Sequence, residues 1–317
     1  MRLGADRARV RVPATSANLG PGFDTAGLAL GLYDDVEVRA LGVADVRVDV
    51  VGEGADELPS GEDHLVVRAM RHALDHVGAP QTGVHLVCRN RIPHGRGLGS
   101  SAAAVVAGLL AARALVAEPE SLGDDVVLRL ATDLEGHPDN AAPALLGGAT
   151  LAWCEGPDVR AVRIPVHPTV LPIAVVPRTR LSTRHARGVL PEQVSHADAA
   201  WQAGRAALLV EALGHRPDLL FDATGDRLHQ EQRRSVMPES LALVDALRAH
   251  GVPAVVSGAG PTVLAFGRTA DGDDRPMDHR ETDADRALDA VFGGAMGGWR
   301  IQRLGLSEDG ALWRRLP

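Results

Sequence analysis

Two domains that each mix β-strands with α-helices are what this sequence predicts, on three observations. The chain is 317 residues long, the size at which a single core usually gives way to two. Short period-two runs of Val and Leu alternate along it with longer stretches of helical periodicity. Near the middle the polar turn Glu155-Gly156-Pro157-Asp158 separates two apolar stretches. That turn marks a domain boundary and divides the chain into 1–156 and 157–317.

Taken in order, Ala8 to Val12 alternates like a short strand and runs into Pro13-Ala14-Thr15-Ser16-Ala17-Asn18-Leu19-Gly20-Pro21-Gly22, a rigid loop without periodicity. Val36 and Val38, then Val46, Val48 and Val50, resume the period of two. His64 to Val77 places Leu65, Ala69, Met70, Ala73, Leu74 and Val77 on one helical face. Val84, Leu86 and Cys88 form a further strand, followed by the loop Pro93 to Ser101 and by Ala102 to Val116, so apolar that it predicts a helix buried on most of its surface. A helix from about Leu122 to Glu135, the segment Gly136-His137-Pro138-Asp139-Asn140 and a strand from Ala149 to Trp153 complete the first half. In the second half Leu171 to Val176 reads as a buried strand, and Ala197–Leu213 and Ser240–Ala249 as helices. Ala254 to Ser257 is a strand leading into Gly258-Ala259-Gly260-Pro261-Thr262. The stretch from Arg268 to Asp285, crowded with Asp, Arg and Thr, predicts an exposed loop before the last helix.

Composition narrows the function. With 45% hydrophobic and 23% charged residues the chain is globular. A net charge of -8 argues against nucleic-acid binding and favours a small-molecule partner. No run of 18 apolar residues and no secretory signal occurs, so the expectation is a cytoplasmic protein without a membrane partner. Cys88 and Cys154 read as small core residues, and His64, His72, His76 and His85 as surface or partly buried histidines without metal-ligand spacing. The four tryptophans, Trp153, Trp201, Trp299 and Trp313, read as packing residues. There is no lysine, so all 33 basic residues are arginine. That excludes the P-loop, protein-kinase and pyridoxal mechanisms, each of which needs a lysine.

Gly97-Leu98-Gly99-Ser100-Ser101 nevertheless has the parts of an anion site. Glycines let the backbone approach a ligand, and the first turn of the following helix offers unpaired N–H groups and a partial positive charge. A serine there can present its hydroxyl to Mg²⁺ beside the β- and γ-phosphates.

Three separated segments together resemble the motifs of the GHMP small-molecule kinases: Pro13 to Asp24, Pro93 to Ala102, and Ser257 to Thr262. The first of them is similar to that of the homoserine kinases in particular. Glu135 to Asn140, Ser182-Thr183 with Ala186-Arg187 and Leu190-Pro191, and Arg233 before Pro238 fall between them in the order that the family shows. The resemblance implies an α+β fold of two domains, the N-terminal one with a left-handed βαβ unit and the C-terminal one ferredoxin-like, with the site in the cleft between them.

By the same resemblance, ATP would lie on Pro93, His94, Gly95, Arg96, Gly97, Leu98, Gly99, Ser100, Ser101, Ala102 and Ala103, with Mg²⁺ held by Ser101 and Glu135. Arg187 and Arg233 would grip the carboxylate of L-homoserine and Asp24 would face its ammonium, while Asn18 and His137 orient the rest. Asn140, with Asn18, would serve at the reacting hydroxyl, in place of the Asp base of other members. A homodimer is common among such proteins. Two rival readings stay open: a kinase of the same family for another alcohol (shikimate, mevalonate or a sugar), and a non-catalytic nucleotide-binding relative.

Overall fold

The computed structural model describes residues 1–270 and 280–317. Its elements in chain order are β1 (Arg7–Ala17), β2 (Ala26–Leu41), β3 (Val46–Gly52), α1 (Leu65–His76), β4 (Gly83–Asn90), α2 (Ser100–Leu115), α3 (Asp124–Glu135), α4 (Ala141–Leu146), β5 (Ala149–Glu155) and β6 (Asp158–Ile164). There follow β7 (Val170–Pro177), α5 (Thr183–Gly188), α6 (His196–Gly214), α7 (Leu220–Ala223), α8 (Pro238–Ala249), β8 (Ala254–Val256), β9 (Val263–Arg268), α9 (Asp283–Phe292), β10 (Trp299–Arg303) and β11 (Leu312–Arg315).

The first sheet runs β11-β1-β2-β4-β3, with β5 pairing β2 and β6 pairing β5. In β1 the alternation is literal: Ala8, Val10 and Val12 are buried while Arg7 and Arg11 face solvent. Its pairing with β2 shifts at Pro13/Ala14 and then continues, Thr15 opposite Ala29 and Ala17 opposite Gly27. The segment expected to be loop from Pro13 onward is therefore strand as far as Ala17. A proline interrupts a ladder least at a bulge, which is where Pro13 stands. β3 and β4 are parallel and joined through α1, a βαβ crossover.

Helix α2 is buried on almost every face, as its run of Ala, Val and Leu dictates, each fully covered Val or Leu contributing roughly 1.5–3 kcal/mol. It needs Gly108 to do so, because a Cβ there would press on the Val66 carbonyl and on Met70 N of α1. This helix is the centre of the larger hydrophobic core, and its N-terminus is thereby fixed in place.

The second sheet is wholly antiparallel in the order β10-β7-β9-β8. Counted along the domain this is the 4-1-3-2 order of a ferredoxin-like unit, with α8 and α9 packed on it. A second, smaller core lies between them around Ile173, Val256, Leu247 and Leu288.

Several expectations need correction. The boundary after Gly156 falls inside the β5–β6 hairpin, Glu155 pairing with Asp158, so the first sheet extends to Ile164, and β11 returns the chain's end to β1. Polar turn residues mark hairpins as readily as domain junctions. Cys154 is exposed on that hairpin, and so is Trp153. Trp201 is flanked by the guanidinium groups of Arg205 and Arg227, and Arg113 lies over Trp313. Of the stretch from Arg268 to Asp285, residues 271–279 lie outside the described residues; beyond it, Thr282 and Asp285 form a reciprocal cap on α9.

Candidate active site

The three glycine-containing segments meet. The Ser257 hydroxyl donates to the Gly97 carbonyl (2.6 Å), and the Thr262 and Thr15 amides donate to the carbonyls of Arg96 (3.2 Å) and Leu98 (3.1 Å). Gly258 N–H bonds to Ala17 O (3.0 Å), and its own carbonyl accepts from Asn18 Nδ2 (2.9 Å). Gly97 and Gly99 sit at φ of 75° and 66°, where a side chain is strained. A Cβ on either would strike the Ser257 carbonyl or the Thr15 hydroxyl respectively. With Gly99 as N-cap and no side chain capping α2, the N–H groups of its first turn open onto a cleft of about 300 Å³. Anions are stabilised in such a place by the N–H groups and the helix dipole.

At the rim of this cradle the Ser101 hydroxyl donates to Glu135 Oε1 (2.6 Å). Burial raises the Glu135 carboxyl above its ordinary range, partly offset by that hydroxyl. Two hard oxygens converging beside a phosphate site suit a Mg²⁺ ion that takes its other ligands from phosphate and water. Glu135 can stand there because Gly136, at φ 84°, stops α3 immediately after it.

Across the cleft, Asn140 Oδ1 accepts from the buried Thr15 hydroxyl (2.8 Å) and its Nδ2 points to Asp139 Oδ1 (3.4 Å). Asp139, itself buried, bonds His137 Nδ1 (2.7 Å), which raises the imidazole's pKa. The first loop holds three non-glycine residues at positive φ, Asn18 (71°), Leu19 (47°) and Asp24 (54°). Strain of this kind persists where the surroundings over-determine it; here Asn18 is gripped at both ends, Oδ1 accepting from Asp24 N–H (3.0 Å).

Arg187 and Asp24, expected to face opposite charges of one ligand, face each other through two bonds of 3.0 and 2.6 Å. Both are only partly covered, so the pair is open to exchange with an incoming zwitterion. Arg233 is different. Its side chain is 1% exposed, and it donates to the Ala186 carbonyl (3.1 Å), His229 Nδ1 (3.0 Å) and the Gly258 carbonyl (3.3 Å). Every one of these acceptors is neutral. Burial, reinforced by Arg187, pushes its pKa down to about 10, so at neutral pH a charged guanidinium lines the cleft wall with no carboxylate bonded to it among the described residues. Such a cation favours an anionic ligand.

A second cavity of about 320 Å³ opens behind Gly95, Ser100 and Ser101 and is mainly apolar, lined by Leu58, Val36 and Ala107 among others. His64 reaches it. The ring is buried and caps α1, Nδ1 accepting from Val66 N–H (3.3 Å), while Nε2 has no partner. Asp34 lines the same cavity, its Oδ1 accepting from Arg91 and Ile92 N–H (2.6 and 2.9 Å), and burial raises its pKa to about 6.

The cleft thus gathers Asn18, Gly95, Gly97, Gly99, Ser100, Ser101, Ala102, Glu135, His137, Asn140, Arg187 and Arg233. His94 and Ala103 line the second cavity, and Pro93 and Leu98 are buried supports. Arg96 departs from expectation: its guanidinium donates to the carbonyls of Pro177 and Arg178 (both 3.0 Å) and of His94 (3.4 Å), and the residue does not line the cleft. Thr15, Asp139, His229 and, in the second cavity, Asp34 and His64 were not singled out from the sequence as site residues. Thr15 and Asp139 lie inside quoted motifs, a signal available but unread. His64 read as an ordinary histidine, and nothing local marks His229.

The GHMP kinase N-terminal domain family matches residues 64–148 and the GHMP kinase C-terminal family residues 206–294. A homoserine kinase of Streptomyces coelicolor is 54% identical over 97% of this chain and 94% of its own length. That of Streptomyces avermitilis is 53% identical over 97% and 95%. Among solved structures, a homoserine kinase from Cytophaga hutchinsonii superposes with a TM-score of 0.80 at 26% identity, covering 98% of both chains.

Proposed function

The chain belongs to the homoserine kinases of the GHMP kinase family, and from that membership we propose that it transfers the γ-phosphoryl group of ATP to the hydroxyl of L-homoserine, giving O-phospho-L-homoserine for threonine biosynthesis. One observation carries the reading: a single cleft joins the lysine-free cradle at the start of α2 to Arg187 and Arg233, with Asp24 bonded to Arg187. The first suits a triphosphate, and the second suits an amino acid, which carries both charges.

The β- and γ-phosphates rest on the amides of Gly97 to Ser101, and the base enters the apolar cavity beside His64. Ser101 and Glu135 would hold Mg²⁺, which when bound would neutralise charge on the phosphates. The amino acid lies with its carboxylate toward Arg233 and Arg187 and its ammonium toward Asp24, so its hydroxyl points to the γ-phosphorus. Asn140, pinned by Thr15, and Asn18, pinned by Gly258 and Asp24, orient that hydroxyl with His137. An amide cannot take a proton at neutral pH. The oxygen–phosphorus bond therefore forms by direct in-line attack as the bond to the β–γ bridging oxygen breaks, ADP departs, and the hydroxyl proton passes late to an oxygen of the transferred phosphoryl group. Positioning and electrostatic stabilisation do most of the catalysis.

Among the described residues no helix is long and apolar enough to cross a membrane. The reading places the enzyme in the cytoplasm. Coupled-assay rates with ATP and Mg²⁺ for L-homoserine, L-threonine, L-serine and mevalonate test it. L-Homoserine is expected to have the highest kcat/KM; a preference for mevalonate, which lacks the ammonium, overturns it, and the absence of turnover with every alcohol makes the chain a binding module.

A further inference from the structure

His229 lies outside the three glycine-containing motifs and is almost wholly buried, 1% exposed. Its two ring nitrogens have different partners: Nε2 is 2.8 Å from the Gly20 carbonyl and 3.5 Å from Asp226 Oδ1, and Nδ1 is 3.0 Å from Arg233 Nη1. A carbonyl can only accept, so Nε2 carries the proton. A guanidinium can only donate, so Nδ1 offers its lone pair. Both bonds are satisfied by one species, the neutral ring protonated on Nε2. The imidazole also stacks on Phe23, with centroids 4.9 Å apart and planes 25° apart. The guanidinium carbons of Arg187 and Arg233 lie 5.5 and 5.8 Å from that same Phe23 ring.

The backbone beneath His229 is equally held. Asp226 accepts from the N–H groups of Leu228 (3.2 Å), His229 (3.0 Å) and Gln230 (2.8 Å) and from Gln202 Nε2 (2.7 Å). Gly20, at φ 85°, belongs to the strained loop that presents Asn18 and Asp24, and a Cβ there would meet Thr224 O at 2.6 Å. Through one ring, then, the loop of the first domain is tied to the arginine of the second.

We propose that His229 is a positioning residue for the substrate carboxylate: it aims the Arg233 guanidinium into the cleft by accepting from Nη1 while leaving its charge unneutralised. The inference rests on the homoserine kinase reading and adds to it a residue which that reading does not use. An Asp or Glu in the same place would also orient Arg233 but would pair its charge and weaken its attraction for a ligand anion. A neutral acceptor avoids that. Without it, Nη1 keeps only the 3.3 Å bond to the Gly258 carbonyl, and the guanidinium is left with that contact and the Nε bond to the Ala186 carbonyl (3.1 Å) to set its direction.

The test compares His229→Phe, His229→Asn and His229→Gln in the full chain. Phe keeps the stack on Phe23 and removes both hydrogen bonds; the Asn amide can present an acceptor near the Nδ1 position, whereas the Gln amide reaches the Nε2 position and can serve Gly20. For Phe the KM for L-homoserine is expected to rise about ten-fold or more, the scale of one hydrogen bond to a charged group, with the KM for ATP within about two-fold of wild type. Asn is expected to recover more of the homoserine KM than Gln. With 3-aminopropan-1-ol, which is homoserine without its carboxylate, Phe and wild type are expected to show equal kcat/KM. A homoserine KM unchanged in all three variants, a parallel rise in the KM for ATP, or a Gln variant that recovers as well as Asn overturns the proposal. The wild-type rate with L-homoserine stands apart from these ratios. If that rate is absent, the function fails, and the variants are then compared by calorimetric binding of L-homoserine under the same criteria.

Discussion

At the end of the cleft proposed for phosphate, the groups on offer are main-chain amides between Gly97 and Ser101, held by hydrogen bonds to neighbouring backbone and hydroxyls. At the end proposed for the amino acid they are side chains, Asp24, Arg187 and Arg233, drawn from three segments up to 209 positions apart along the chain and held through His229, Phe23 and Gly258. A backbone cradle is specified by glycines in a short window, and its strength comes from the fixed end of α2. A side-chain pocket depends on long-range packing and gains its selectivity from charge. The first end suits what all members of a kinase family share, a nucleotide; the second suits what distinguishes one acceptor from another.

Substitutions that act on one end alone sharpen this contrast. The largest expected effect belongs to Arg233→Met, which removes the buried cation: kcat/KM for L-homoserine falls about 10²- to 10³-fold, as for other truncated buried ionic partners, with the KM for ATP unchanged in initial-rate assays. Gly99→Ala attacks the other end. Its methyl group meets the Thr15 hydroxyl at a φ of 66°, and displacement of the loop is expected to lower ATP-dependent turnover about 10²-fold while L-homoserine still binds by calorimetry. A loss of amino-acid binding in that variant would merge the two ends into one unit. Glu135→Gln keeps the shape but removes a charged oxygen ligand; roughly a 10- to 100-fold loss of rate is expected, partly restored by raising Mg²⁺.

The smallest effect is on stability. Because the pKa of Asp34 is raised to about 6 by burial, the folded state holds its proton more tightly than the unfolded chain does. Its contribution is therefore most favourable below about pH 4 and is lost as pH rises through 6. Asp34→Asn can still accept from the Arg91 and Ile92 amides. It is expected to match wild type at pH 4 and to exceed it by about 1–3 kcal/mol at pH 8 in denaturant unfolding, from a shift of about two units. A difference that shrinks with rising pH would contradict the assignment.

The same contrast governs how much could be read in advance. The strand–loop–helix context of Gly97 to Ser101, the burial of α2 and the pattern of β1, β4 and β7 were all legible, since each rests on local periodicity or on glycine's freedom at positive φ. Ser101 with Glu135, and Asn18 with Gly258, meet as the ordered motifs imply. What stayed hidden depends on contacts without a local signal. β6 and β11 are short, largely exposed strands recognisable only by their partners β5 and β1. Nothing near Arg96 tells that its guanidinium turns to the carbonyls of β7 and the residue after it. Arg187 and Asp24 were each assigned to the ligand, yet 163 positions of chain close so that they bond to one another. His229 and the acceptor role of its Nδ1 follow only from the position of Gly20, 209 residues away.

A structure of the protein with a non-hydrolysable ATP analogue, Mg²⁺ and L-homoserine tests the central claim most directly. The expected result has the β- and γ-phosphates on the amides of Gly97 to Ser101, the metal between Ser101 and Glu135, and the amino-acid carboxylate on Arg233, with its hydroxyl in line with the γ-phosphorus. A triphosphate bound away from the start of α2, or an amino acid whose carboxylate lies away from Arg233, would contradict the account.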